Sequence, residues 1–102
     1  MPSANPKLLA AAALGQDFVA QAPLVMVLTA DFSITTGRYG KRGTRYVHME
    51  VGHVGENVHL QAAAMGLGSC MVGAFDDSGV AAALNLPSGQ EPLYIMPVGY
   101  PK

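Results

Sequence analysis

A chain of 102 residues and 10.6 kDa has room for one domain. Half of its residues are apolar and only 13 % are charged, against about 25 % in typical soluble domains. The net charge of −1 and pI near 6.2 draw neither nucleic acid nor an anionic membrane, and the apolar content excludes disorder. Size scaling leaves about 5,500 Å² accessible on a folded chain of this mass. A small, apolar, weakly charged surface is relieved by burial against a partner, so a homodimer or higher oligomer is expected.

In chain order, Asn5 and Pro6 read as an N-cap and first helical residue, with Gly15 as the stop, which predicts a short helix over 6–14. The apolar run 8–14 is far short of a membrane span, and Lys7 is the only early positive charge, so neither a membrane helix nor a secretory signal is expected. Residues 17–21 add a turn, because Pro23 forces Ala22 out of the helical region. Residues 24–29 (LVMVLT) form a continuous apolar run that predicts a buried strand. The polar, glycine- and threonine-rich residues 31–44 read as a loop.

Residues 45–65 make the longest element, a proline-free helix that stops at Gly66. Its apolar residues, Val47, Met49, Val51, Val54, Val58, Leu60, Ala62 and Ala64, wrap round more than one face. Such a helix belongs in a core or an interface. Gly52 and Gly55 each cost about 1 kcal/mol against alanine in a helix, which implies close backbone packing. Residues 69–75 (SCMVGAF) predict a strand ending in a small-residue turn. Asp76 or Asp77 then caps a helix around 79–84 that Pro87 ends. Residues 92–98 (PLYIMPV) predict the last strand, with Pro97 indicating an edge or a bulge. The order αβαβαβ gives a thin unit of three helices and three strands, without repeat or linker.

One cysteine cannot form an internal disulfide, which points to a reducing, cytoplasmic setting. The run Gly66-Leu67-Gly68-Ser69-Cys70-Met71-Val72-Gly73 follows a helix and precedes a strand, the reverse of a dinucleotide fingerprint, and reads as a tight turn. His48, His53 and His59 fall about 140° and 240° apart on a helix, so no metal site is expected. His53 is instead expected to pair with Asn57 or Glu50 inside the packing. Cys70 reads as a small buried hydrophobe. Arg38, Lys41, Arg42 and Arg45 put four of the six positive charges into residues 38–45. That segment is either a solvated loop or a site for a small anion or nucleotide.

Two ordered blocks, RYGKRGTRYVHMEVGHVGENVHLQAAAMGLGSCMVGAFDD and EPLYIMPVGYP, resemble the C-terminal half of nitroreductase-superfamily flavoproteins. The branch they resemble most is the SagB-type dehydrogenases, relatives of the oxidases that aromatise thiazolines and oxazolines in peptides. The resemblance runs from about Leu8 to Pro101 and makes residues 1–102 a single partial domain. It implies a nitroreductase-like α+β fold that dimerises extensively, with FMN in a cleft between subunits and NAD(P)H as electron donor.

By the same resemblance Met71-Val72-Gly73-Ala74 runs beside the isoalloxazine, where a backbone N–H faces the flavin N5. Small side chains let backbone approach a flat ring, and a donor there favours the reduced form. Arg38-Tyr39 matches the Lys-Tyr pair of the dehydrogenase branch, with Tyr39 as acid/base and Arg38, always protonated, holding charge. Lys102 stands for the basic residue beyond the last strand, and Glu56 replaces the usual glutamine. Full members are about twice as long, and the residues that grip the FMN phosphate lie in their N-terminal half. The implied site is therefore completed by a homodimer or by a second chain. Two other classes compete with this: a dimerising remnant without flavin, and a small-anion or nucleotide-binding module on residues 38–45.

Overall fold

A computed structural model describes residues 6–16 and 18–100. Helix α1 (Pro6–Ala12) stops two residues short of the expected end. Leu14 and Gly15 both take positive φ, at 59° and 71°, and the Gly15 N–H donates to the Ala10 carbonyl, so the chain turns back before a further helical turn can form. The Asn5 cap, Asp17 and Lys102 lie outside the described residues. Helix α2 (Phe18–Gln21) leads into β1 (Leu24–Ala30).

Residues 31–44 are not a loop. Helix α3 (Phe32–Tyr39) occupies most of them, capped by Asp31, whose carboxylate accepts from the Ser33 N–H at 3.0 Å and the Ser33 hydroxyl at 2.6 Å. The Thr36 hydroxyl donates back to the Phe32 carbonyl at 3.0 Å, so the residues that suggested a loop are absorbed into helical bonding. Gly40, at φ 65°, ends the helix, and α4 (Arg42–Ala64) begins almost at once, three residues earlier than expected. Gly43 permits this crossing. A Cβ there would lie 2.9 Å from the Thr35 carbonyl oxygen and from the Thr36 N and Cα, all of them backbone atoms.

At 23 residues, α4 is about 35 Å long. It is followed by β2 (Gly68–Ser69), α5 (Asp77–Leu84) and β3 (Glu91–Gly99). Among the described residues the sheet has three antiparallel strands in the order β1-β3-β2. Asp76 stands at the N-cap of α5 without a side-chain cap bond, and Asn85 ends the helix in the left-handed region at φ 53°.

Two strand expectations are corrected. Residues 69–75 do not form a strand, because pairing is confined to β2 and an isolated bridge between Val72 and Ile95. Nor is Pro97 at an edge: it sits in the central strand, buried. The two facts share a cause. The register that pairs Ser69 with Val98 and Val72 with Ile95 sets Cys70 opposite Pro97. Proline has no N–H, so that rung keeps only the Cys70 N–H to Pro97 carbonyl bond, at 3.3 Å. The bulge lies elsewhere: Leu28 pairs with Tyr94 but Thr29 with Pro92, leaving Leu93 as the extra residue.

Strand alternation divides the interior. Val25, Val27, Val72 and Ile95 face α1, α2 and α5 and join Leu9, Ala10, Ala13, Val19 and Val80 in the main core. The opposite residues meet α4, and cover there is thinner. Met96 and Val98 are buried, but Leu24 is 55 % exposed, and Met49, Val54, Leu60 and Met65 on or just past α4 are exposed too. The accessible surface, 6687 Å², exceeds the scaling value of about 5,500 Å². Gly55 meets the expectation of close packing, whereas a Cβ on Gly52 would touch nothing within 4 Å.

Candidate functional site

Beyond Ser69 the chain leaves the ladder, returns to it once at Val72, and turns away through Gly73 and Ala74. Val72 exchanges both backbone bonds with Ile95, at 2.8 and 3.0 Å. Met71 and Gly73 therefore occupy the intervening positions, whose N–H groups point off the open edge of the sheet. Both Gly73 and Ala74 are exposed, and neither N–H finds an acceptor among the described residues. Such a turn, small in side chain and holding unspent donors, fits a flat ligand with acceptor atoms on its rim.

Contacts on three sides position this turn. Beneath it, a Cβ on Gly55 of α4 would lie 2.9 Å from the Met71 Sδ and 3.3 Å from the Tyr94 ring, so α4 comes within backbone reach. Upstream, Ser69 Oγ and His59 Nδ1 are hydrogen bonded at 2.6 Å. Downstream, Gln16 Nε2 donates to the carbonyls of Ala13, at 2.8 Å, and Ala74, at 3.2 Å, while the Asp76 N–H donates to the Ala12 carbonyl at 2.7 Å.

Arg38 and Tyr39 sit at the end of α3, in a second cluster. The Arg38 guanidinium lies 5.5 Å from the Tyr39 ring centre. Tyr39 packs edge-on against Tyr46 of α4 at 5.2 Å, and Arg42 Nε donates to the Tyr46 hydroxyl at 3.1 Å. Tyr46 and Gly55 are nine residues apart, roughly 14 Å along the helix axis. Within one chain, the two expected groups of site residues thus pack against α4 at separate stations. Residues 38–45 are helix ends, with two guanidiniums laid against tyrosine rings.

The histidines go separate ways. His48 meets the Phe32 ring edge-on at 5.4 Å. His53 is exposed and bonds neither Asn57 nor Glu50, which corrects the expected pairing: water can satisfy its ring where it lies. Cys70, next to the short edge strand β2, is likewise exposed, not buried. Among the described residues no three His, Cys, Asp or Glu side chains gather into a metal set, and no helix is long and apolar enough to cross a membrane. An apolar groove of about 420 Å³ runs between α4 and the sheet, lined among others by Leu24, Met26, Val54, Val58, Met65 and Val98.

Sequence reasoning did not find the His59–Ser69 and Gln16–Ala74 contacts. Each joins elements that come together only in the fold, the second across 58 positions.

A long helix laid on one face of a small antiparallel sheet, with an open edge of backbone donors, defines a partial α+β class. The pattern of the nitroreductase family matches residues 2–100, and the chain belongs to that family. It is 52 % identical over 91 residues to a putative nitroreductase of Methanocaldococcus jannaschii, covering 89 % of this chain and 45 % of that protein. The chain thus spans about half the length of this curated relative. A solved structure from Anabaena variabilis, described as a putative nitroreductase, is similar at a TM-score of 0.87 and 33 % identity, over 95 % of this chain and 20 % of that one. The NADPH:FMN oxidoreductase of Vibrio harveyi, solved in complex with NAD+, shares the fold at a TM-score of 0.81 and 24 % identity, over 96 % of this chain and 46 % of that one.

Proposed function

We propose that residues 1–102 form a single partial domain contributing one half of an FMN-dependent oxidoreductase site of nitroreductase type, in a cytoplasmic protein. NAD(P)H-dependent reduction or SagB-like dehydrogenation is its chemistry. The observation that carries this reading is the exposed 71–74 turn, with the unspent N–H groups of Gly73 and Ala74. When bound, FMN supplies two-electron transfer between donor and acceptor. Gly73 and Ala74 would help hold it by donating their free backbone N–H groups, and Met71 and Val72 would carry the backbone to that position. The Tyr39 hydroxyl holds or moves the proton at the substrate, while Arg38 supplies fixed positive charge beside it. Lys102 adds a basic group toward the cofactor. The groove between α4 and the sheet seats a second copy or a second chain, and a second chain bearing the N-terminal half brings the phosphate-gripping residues.

The test is a visible spectrum of the purified protein before and after adding FMN, read beside its light-scattering mass. Flavin bands on an oligomer are expected. A colourless oligomer that takes up no FMN would sink the proposal and leave a dimerising remnant.

A further inference from the structure

The 71–74 turn is weakly held by its own backbone. Strand β2 has two residues, and the next rung toward Val72 is half missing because Cys70 faces Pro97. Between Ser69 and Val72 the ladder alone cannot fix how far the turn stands from α4.

The Ser69–His59 bond falls at the residue just before that half-rung. A hydroxyl can donate to a bare Nδ1 or accept from a protonated one, so this bond survives either ring tautomer. His59 also lies four residues after Gly55, on the same face of α4. Gly55 is where Met71 and Tyr94 seat against the helix backbone. One helix face therefore grips the turn twice, first by a missing side chain and then by a polar one.

We infer that His59, acting through Ser69, is a positioning residue that sets the Gly73 and Ala74 donors at the height the flavin needs. This rests on the flavin reading above. His59 touches no reacting atom, and its effect passes through β2.

The experiment compares the full chain with its His59→Ala, Ser69→Ala and Ser69→Thr variants. Hydrogen exchange at the Cys70 and Val72 amides, without FMN, reads the tether itself. FMN affinity and the reduction potential of the bound flavin read its consequence. His59→Ala and Ser69→Ala are expected to speed exchange at both amides by about tenfold and to weaken FMN by a similar factor, with a shifted potential. Ser69→Thr keeps the hydroxyl and should stay near the parent. Unchanged exchange in both alanine variants overturns the tether, and so does a Ser69→Thr variant as fast as Ser69→Ala. Faster exchange with unaltered flavin affinity and potential overturns only the positioning role. A parent chain that binds no FMN overturns the flavin reading and the positioning role with it.

Discussion

Two glycines six residues apart in sequence behave in opposite ways because their surroundings differ. At Gly43 an added methyl would meet the backbone of α3 at 2.9 Å, and backbone cannot swing aside as a side-chain tip can. Gly43→Ala should therefore force the α3–α4 crossing apart and destabilise the protein by about 1–3 kcal/mol. At Gly37, inside α3, the same methyl meets nothing within 4 Å. Gly37→Ala should stabilise by up to about 1 kcal/mol through helix propensity alone. Urea midpoints of the two variants against the parent check both signs. Nothing in the sequence distinguishes these glycines. The difference lies in which residue faces the neighbouring helix, a property of the crossing and not of local composition.

For whole elements, legibility followed how local the cause was. The apolar run of β1 and the proline-free length of α4 act within a few residues and were readable, whereas α5 is stopped by Asn85 in the left-handed region, ahead of Pro87. Residues 31–44 misled because serine, threonine and glycine favour turns in general, while Asp31 turned them into a capped helix. The strand expected at 69–75 failed for a distant reason: its partner across the sheet is Pro97, and register cannot be read from either segment alone. The expectations for residues 71–74 and for Arg38–Tyr39 came from family blocks, and the roles given to them are proposals. Their separation along α4, and the contacts holding the turn, depend on the fold. Helix α4 also carries its own test. Gly52 has open space around it, so Gly52→Ala should raise the urea midpoint by an amount equivalent to about 1 kcal/mol. A fall would place another chain's backbone against that face.

The distribution of burial over the molecule is lopsided. One face of the sheet is sealed by α1, α2 and α5, while α4 leaves an apolar groove along the other. Burying that groove in a second chain predicts a charge-sensitive assembly, since an unpaired carboxylate placed in an apolar contact is strongly disfavoured. Val54→Glu, on the groove wall and 46 % exposed in the single chain, should fold and lose association. A light-scattering mass reduced to that of the monomer is expected, and an unchanged mass would move the interface elsewhere.

The strand order has a bearing on how the protein comes into being. Strands β1 and β2 never touch, because β3, the last of the three to leave the ribosome, lies between them. Among the described strands, β1 and β2 cannot pair with each other as the chain grows, and Val25, Val27 and Val72 await Ile95. Helical segments can form as they emerge, but the sheet can close only after Glu91–Gly99 is made. Until then β1, apolar and without a partner strand, is the segment most open to pairing with the wrong chain. Birth of this fold is therefore a late, all-at-once event, and its final strand is the keystone.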